Sequence, residues 1–175
     1  MPSKSNKIIY LVLHNIRSAY NVGSIFRTAD GAGVAKIYLC GYTPTPSVEV
    51  SSSKSQFPLI DKIAKTALGA EKTVSWEKHQ QTGRLLSQLK KRGTRIIALE
   101  LDSKSKNLLT YDFGALSGES LAIVVGHERK GLTKNILKYV DEILEIPMFG
   151  KKESLNVAVA TGIALYTIIE KTFNN

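Results

Sequence analysis

Short β-branched or apolar runs alternate along the chain with stretches of helical spacing. The runs predict strands at 8–13, 36–40, 73–76, 95–101, 121–125 and 142–146. The helical spacing predicts helices at 21–33, 59–68, 79–91, 132–140 and 156–171. This alternation is typical of an α/β domain with a mostly parallel sheet. Because we find neither an internal repeat nor a domain boundary, we expect residues 1–175 to form a single domain.

The first predicted helix places an arginine among glycines. Its core face should consist of five residues at helical spacing, Val22, Ile25, Phe26, Ala29 and Gly33. Arg27 then falls on the opposite side, with Gly23 one turn before it and Gly31 one turn after it. Glycine on an exposed helix face costs stability relative to alanine, so we expect something to approach the backbone around Arg27. The simpler alternative is a solvated arginine on a helix that happens to be rich in glycine.

The stretch 146–166 joins a polar loop to a helix with almost no charge. A helix that is apolar on nearly every side is buried or packs against a partner, so the preceding loop should be held against the core. Asn156 or Ser154 could cap the helix and satisfy its free N–H groups. Two interpretations stay open: the loop is only a helix cap, or it forms a ligand site with the start of the helix.

Three polar loops lie where such a site would be expected, because ligands of parallel sheets bind beyond the carboxyl ends of the strands. They are 21–27, 126–133 and 148–156. The second loop has the glycine spacing of a phosphate-binding P-loop, but Leu132 stands where that loop requires a lysine, which argues against an NTPase. Gly126 would still allow a ligand close to the backbone. For the charged residues that follow it, a solvated and ion-paired loop is the alternative.

Composition adds a preference for a polyanionic partner. The chain has 24 Lys and Arg against 15 Asp and Glu, a net charge of +9, which favours nucleic acid first and an anionic membrane surface second. The single cysteine, Cys40, cannot form an internal disulfide and fits a reducing cytoplasm. Three scattered histidines give no metal-ligand spacing, and we see neither a signal peptide nor a membrane span. A cytoplasmic protein without a metal or a membrane is therefore expected.

Three segments together resemble a known enzyme family. They are 21–29 (NVGSIFRTA), 125–132 (VGHERKGL) and 146–156 (IPMFGKKESLN). In order and separation they are similar to the signature motifs of the SpoU/TrmH branch of the SPOUT RNA methyltransferases, and the resemblance spans nearly the whole chain. The main departure is His127, where the family often has a smaller or amide residue. The resemblance implies a Rossmann-like α/β sheet with helices on both faces and a deep C-terminal trefoil knot.

The resemblance also implies an activity: transfer of a methyl group from S-adenosyl-L-methionine to a ribose 2′-hydroxyl of RNA, with tRNA favoured and rRNA possible. It implies a homodimer whose face is the last helix. Four positions match those assigned to catalysis: Arg27, Glu128, Ser154 and Asn156. Cofactor contacts would be Leu99, Gly126, Ile146, Met148 and Leu155. Candidate RNA contacts are Asn21, Arg17, Arg129, Lys130 and Lys151, together with Lys54 and Lys152.

Arg27 is the family's leading candidate for activating the hydroxyl. A guanidinium is effectively always protonated, so we expect Arg27 to anchor a phosphate and to stabilise the developing alkoxide, while Asn156 and Ser154 orient the ribose. A non-catalytic RNA-binding or assembly factor on the same fold is the alternative, although a pure binder has no reason to keep all four matched residues. A nucleotide-phosphate-binding protein is a weaker third hypothesis.

Overall fold

The computed structural model describes residues 8–47, 61–115 and 120–173. The strands in these ranges are β1 (Ile8–His14), β2 (Lys36–Cys40), β3 (Trp76–His79), β4 (Arg95–Leu99), β5 (Lys106–Asn107), β6 (Ser120–Val125) and β7 (Glu142–Glu145). The helices are α1 (Ala19–Gly31), α2 (Lys62–Ala67), α3 (Ala70–Thr73), α4 (Thr82–Lys91), α5 (Lys134–Leu137) and α6 (Val157–Phe173), with a 3₁₀ turn at Phe113–Ala115. The start of the predicted 59–68 helix and Lys54, one of the candidate RNA contacts, lie outside the described residues.

The strands form one sheet in the order β3-β2-β1-β6-β4-β7-β5. All of the strand pairings in the described ranges are parallel, which confirms the predicted α/β class. The chain first builds β2 and β3 on one side of β1, and β6 later pairs with its other side. The strand order thus reverses between β1 and β6, where α/β sheets bind their ligands.

Side chains of β1 alternate between two hydrophobic clusters, one on each face of the sheet. Leu11 and Leu13 pack with residues of α1, α2, α3 and α6, whereas Val12 packs with residues of α4 and α5. This period of two is that of a strand, whose successive side chains point to opposite faces. The prediction of helices on both faces is therefore confirmed.

The strand predicted at 73–76 is wrong. Ala70–Thr73 form helix α3, because the N–H of Val74 donates to the Ala70 carbonyl at 3.0 Å and closes a helical turn. The strand follows at Trp76–His79, so α4 begins later than predicted. A β-branched pair favours a strand only weakly, and tertiary context decides.

The helix predicted at 132–140 is too long. Only Lys134–Leu137 is α-helical. The N–H groups of Tyr139 and Val140 donate to carbonyls three residues back at 3.0 and 3.2 Å, which is the tighter 3₁₀ pattern. Leu132 is nevertheless buried, so the apolar pattern indicated the burial correctly but not the hydrogen bonding.

The core face of α1 matches the predicted face apart from its last member. Its buried apolar residues are Val22, Ile25, Phe26 and Ala29, and Arg27 is exposed on the other side as expected. The assignment of Gly33 to this face is wrong, because α1 ends at Gly31. Gly33 lies beyond the helix, exposed, with a φ of +66°. That left-handed backbone, rather than core packing, explains the glycine.

Gly23 lies where α1 and α2 approach each other closely. A Cβ on Gly23 would stand 2.1 Å from Oγ1 of Thr66 and 2.2 Å from the carbonyl oxygen of Ile63. A Cβ on Gly31 would stand 3.2 Å from the hydroxyl of Tyr166 in α6. Both glycines thus accommodate the chain's own helices, so they are no evidence for a ligand beside the exposed arginine.

Gly23→Ala is expected to destabilise the protein, although alanine is the better helix former by about 1 kcal/mol. The added Cβ meets a backbone carbonyl that cannot rotate away, and such overpacking costs about 1–3 kcal/mol. Gly162→Ala in α6 is the matched control, because the nearest atom, Cγ2 of Thr28, stands at an ordinary contact distance of 3.6 Å. Urea unfolding should show opposite signs for the two variants. Equal stabilisation would contradict the close packing of α1 on α2.

Candidate active site

A cavity of about 310 Å³ opens beyond the carboxyl ends of β4, β6 and β7. Its wall consists of residues that follow these strands, part of the 146–155 loop and the start of α6. It includes all five residues predicted to contact a cofactor, Leu99, Gly126, Ile146, Met148 and Leu155. The structure thus brings residues from three segments of the chain to one place, and their contact with a cofactor stays a prediction.

Gly126 is required by the loop that it begins. A Cβ on Gly126 would stand 2.6 Å from the carbonyl carbon of Gly131 and 2.8 Å from the nitrogen of Leu132. The loop therefore closes on its own backbone at this point. This packing is sufficient to explain the glycine. That Gly126 also lets a ligand approach the backbone stays a prediction, because the residue lines the cavity.

His127 holds the same loop in shape. Its Nδ1 accepts hydrogen bonds from the backbone N–H groups of Arg129 at 2.9 Å and Lys130 at 3.3 Å. The N–H of Gly131 also donates to the His127 carbonyl at 2.8 Å. In this geometry Nδ1 is an acceptor, so the neutral ring carries its proton on Nε2. The departure from the family pattern at this position thus has a structural role in the loop.

Glu128 ties the loop to the start of α1. Its carboxylate accepts hydrogen bonds from the backbone N–H groups of Arg17 and Ser18 and from Nδ2 of Asn21, each at 3.0 Å. Partial burial acts to raise the pKa of Glu128, but these hydrogen bonds outweigh it and leave the pKa below its ordinary value. The alternative of a solvated ion-paired loop does not describe Glu128, because its partners are N–H donors and not the neighbouring cations.

Asn156 joins the third loop to the first. Its Nδ2 donates to Oδ1 of Asn21 at 3.1 Å, while its own Oδ1 accepts from the backbone N–H groups of Ala158 at 2.8 Å and Val159 at 3.4 Å. The predicted cap of the last helix is therefore confirmed for Asn156. Since Asn21 also donates to Glu128, one hydrogen-bonded chain links all three predicted loops.

Ser154 and Arg27 lie in different places. Ser154 lines the cavity. Arg27 is exposed on α1 and makes no hydrogen bond or ion pair with the described part of the chain. It lies six residues beyond Asn21, about 9 Å further along the helix and on another side of it. Within one chain, the structure does not bring Arg27 to the other three predicted catalytic residues.

Cations surround the mouth of the cavity. Arg129 and Lys130 line it, and Arg17 and Lys151 are exposed beside the same loops. Asn21, the uncharged member of the predicted RNA set, is instead engaged with Glu128. These exposed cations could meet a polyanion at the mouth, while the cavity wall also contains carboxylates, among them Glu100 and Glu153.

Glu100 was missed by the sequence reasoning. It follows β4 directly and lines the cavity. Its carboxylate accepts the backbone N–H of Leu132 at 2.6 Å and that of Leu101 at 3.0 Å, and a Cβ on Gly131 would stand 2.3 Å from it. The strand predicted at 95–101 included it, whereas β4 ends at Leu99. With the correct boundary, an acid directly after a buried strand would have been the signal.

The described residues offer no metal site, no membrane-spanning helix and no reactive thiolate at Cys40. Within the described ranges, no group of three or more His, Cys, Asp or Glu side chains could hold a metal ion. No helix in those ranges has both the length and the apolar character needed to cross a bilayer. Burial raises the pKa of the Cys40 thiol to about 11, which keeps it from serving as a thiolate nucleophile at neutral pH.

The model of one protein family matches the part of the chain that forms both the sheet and the cavity. The model of the SpoU rRNA Methylase family matches residues 8–166, a range that contains the cavity wall and all three loops. The chain belongs to this family. The recognition made from the three motifs is therefore confirmed, whereas the C-terminal knot stays a prediction.

Similar proteins act on different RNAs. The chain is 30% identical to the tRNA (guanosine(18)-2′-O)-methyltransferase of Aquifex aeolicus over 93% of its own length and 69% of that protein. It is 31% identical to the 23S rRNA (guanosine-2′-O-)-methyltransferase RlmB of Vibrio cholerae over 95% of its length and 61% of that protein. A structure solved for the 2-OH methylation of C/U34 on tRNA superposes with a TM-score of 0.74 at 26% identity, covering 97% of this chain and 99% of that one. The chain thus spans about two thirds or less of several curated relatives, from 61% to 69%.

Proposed function

We propose that this chain transfers a methyl group from S-adenosylmethionine to a ribose 2′-hydroxyl of RNA. The observation that carries the proposal is the hydrogen-bonded chain that joins the three loops beside the cavity: Asn156 bonds Asn21, and Asn21 bonds Glu128, which lines the cavity. Membership of the SpoU family supports it. So do the relatives, two of which are named as RNA 2′-O-methyltransferases of tRNA and 23S rRNA.

The cavity suits the cofactor in size and in chemistry. Small-molecule sites occupy about 300–1,000 Å³ and are mostly apolar with a few polar groups. Here Leu99, Ile146 and Leu155 would hold the apolar parts of the molecule. The carboxylates of Glu100 and Glu153 also line the wall, which suits a cation. When bound, S-adenosylmethionine supplies an electrophilic methyl group on a positively charged sulfur.

The chain's contribution would be to orient the hydroxyl and to stabilise its developing charge. Ser154 and Asn156, at the cavity and its adjoining loop, would position the ribose, since alignment of the reacting atoms supplies a large part of such a barrier. Arg27 would anchor a phosphate and stabilise the alkoxide. Glu128 is poorly suited as a general base, because its pKa is lowered and both of its oxygens already accept hydrogen bonds. We therefore assign it to holding α1 and the 126–133 loop, called the cavity loop below, together.

A homodimer would complete the site. Helix α6 packs on the core through Leu165 and Ile168, yet it leaves Val159 and Tyr166 more than half exposed, at 52% and 54%. Such apolar exposure on a nearly uncharged helix favours a second copy of the chain as its cover. Arg27 lies on α1 one turn before Gly31, which faces the Tyr166 hydroxyl. It would then stand at the dimer boundary and serve the site of the partner chain.

The substrate would be RNA, with tRNA favoured over rRNA. The net charge of +9 and the exposed cations at the cavity mouth suit a phosphate backbone. The tRNA preference is supported by the structure for C/U34 methylation, which matches 99% of its own length. An RNA-modifying enzyme of this kind would work in the cytoplasm.

Calorimetry with S-adenosylmethionine and, separately, with ATP tests the proposal. We expect the methyl donor to bind and ATP not to bind, because the P-loop lysine is replaced by Leu132. Incubation of the protein and donor with total tRNA, followed by mass mapping, should then reveal methylated riboses. RNA binding without donor binding would instead support a binding-only factor, and ATP binding without donor binding would favour the nucleotide-binding hypothesis.

A further inference from the structure

Tyr42 stands exposed among the carboxyl ends of the central strands. It follows β2 and is 57% exposed. Its ring meets the ring of His127, which follows β6, edge to face at 6.2 Å between centroids and 80° between planes. Strand β1 lies between β2 and β6 in the sheet, so Tyr42 reaches across the end of β1 to the loop of the candidate active site.

Three backbone N–H groups of the turn that contains Tyr42 donate hydrogen bonds. The N–H of Gly41 donates to the His79 carbonyl at 2.9 Å, that of Tyr42 to Oδ1 of Asn15 at 3.2 Å, and that of Thr43 to the Cys40 carbonyl at 3.2 Å. Gly41 has a φ of +61°, and a Cβ there would stand 1.9 Å from Oδ1 of Asn15. The turn thus depends on a glycine packed against that amide.

Thr43 fixes the turn from below. It is fully buried, its hydroxyl donates to the Leu13 carbonyl at 2.9 Å, and the same oxygen accepts the N–H of Ile16 at 3.0 Å. Nζ of Lys78 donates to the Thr43 carbonyl at 2.5 Å. These bonds connect the Tyr42 turn to β1 and β3. The backbone that presents the ring is thus ordered before any ligand arrives, so less entropy is lost when the ring binds one.

The surroundings indicate what the ring would bind. Arg129 and Lys130 are exposed in the loop that also contains His127, and Arg17 is exposed where its backbone bonds the Glu128 carboxylate. An aromatic face next to several cations is the arrangement by which proteins bind single-stranded nucleic acid, with bases stacked on rings and phosphates near cations.

We infer that Tyr42, supported by the His127 ring, is a stacking platform for a nucleobase of the RNA substrate. The inference rests on the proposed function for the identity of the ligand. His127 lines the cavity wall but Tyr42 does not, so a change confined to Tyr42 would act on RNA affinity without affecting the binding of S-adenosylmethionine.

The test compares Tyr42→Leu with Tyr42→Phe, which keeps the ring. Each protein is titrated with an oligoadenylate of about ten nucleotides and with an abasic oligoribonucleotide of equal length, which keeps the phosphates and removes the bases. We expect Tyr42→Leu to bind oligoadenylate about 5- to 100-fold more weakly than wild type, and Tyr42→Phe to match wild type. Affinity for the abasic chain should be equal in all three proteins.

Calorimetry with S-adenosylmethionine separates this inference from the proposed function. Equal donor binding by wild type and both variants, with the loss confined to oligoadenylate, supports the platform. Oligoadenylate binding by Tyr42→Leu at wild-type strength overturns the platform while the proposed function stands. Equal affinity of the wild type for oligoadenylate and for the abasic chain also overturns the platform. A wild type that does not bind the donor overturns the proposed function, and the oligonucleotide titrations then still decide whether the ring stacks on bases.

Discussion

A mixture of Arg27→Ala and Asn156→Asp chains is expected to regain about a quarter of wild-type methyl transfer, although each variant alone is nearly inactive. Arg27 makes no hydrogen bond or ion pair with its own cavity loops in the described part of the chain, whereas Asn156 bonds Asn21 beside the cavity. If the sites are shared, a mixed dimer contains one site with both residues and one with neither. Random pairing makes about half of the dimers mixed, so about one site in four is complete.

The two substitutions are chosen to remove function and keep the fold. Arg27→Ala removes one charge-stabilising donor, a loss of about 10²- to 10³-fold. Asn156→Asp keeps an oxygen that caps α6, where a carboxylate is also favourable, but it loses the Nδ2 group that donates to Asn21. Methyl incorporation into total tRNA by the co-expressed chains is the measurement.

A second pair serves as the control for shared sites. Ser154→Ala and Asn156→Asp alter the same loop, so no pairing of these chains assembles a complete site, and no activity should return. Failure of the Arg27 and Asn156 pair to complement would show that each chain acts alone. In that case Arg27 would act in its own subunit or not at all.

The sequence was sufficient for the central strands of the sheet, because these strands are buried on both faces. β1, β4 and β6 read as continuous apolar runs, and parallel strands with buried faces do so by necessity. The meeting of the three loops follows from the same fact, since the carboxyl ends of parallel strands share one edge. In contrast, β5 (Lys106–Asn107) is two residues long and polar, so no hydrophobic period could reveal it.

What the sequence could not show is which group each special residue meets. Gly23 and Gly126 suggested ligand approach, but their neighbours are the Ile63 carbonyl in α2 and the backbone of Gly131. A glycine reports that something is close, and only the fold identifies it. Glu128 likewise resembled a solvated acid beside two bases until the start of α1 placed three N–H donors around it.

Glu128→Gln is expected to reduce methyl transfer by about 10²-fold, because a shift of about 1 Å at reacting groups is enough for such a loss. The carboxylate accepts three N–H donors, whereas a glutamine has one acceptor oxygen and turns its own N–H groups toward a donor. Leaving such a group unsatisfied costs about 1–3 kcal/mol in the free energy of unfolding. The segment at the start of α1 and the cavity loop would then move apart.

The pH dependence of unfolding tests whether the Glu128 carboxylate causes the difference in stability between wild type and Glu128→Gln. The folded-state pKa of Glu128 is lowered, so its contribution to stability is present above the pKa of the unfolded chain and is lost as the pH falls through the folded-state value. The difference in unfolding free energy between wild type and Glu128→Gln should therefore be constant around neutral pH and should shrink in acid.

Glu153→Gln is the matched control, since this exposed carboxylate lines the same cavity and has no hydrogen bond or ion pair with the described residues. A Glu128→Gln protein as stable as Glu153→Gln at neutral pH would show that the carboxylate does not hold the loop to α1, and the three motif loops would then owe their meeting to the sheet alone.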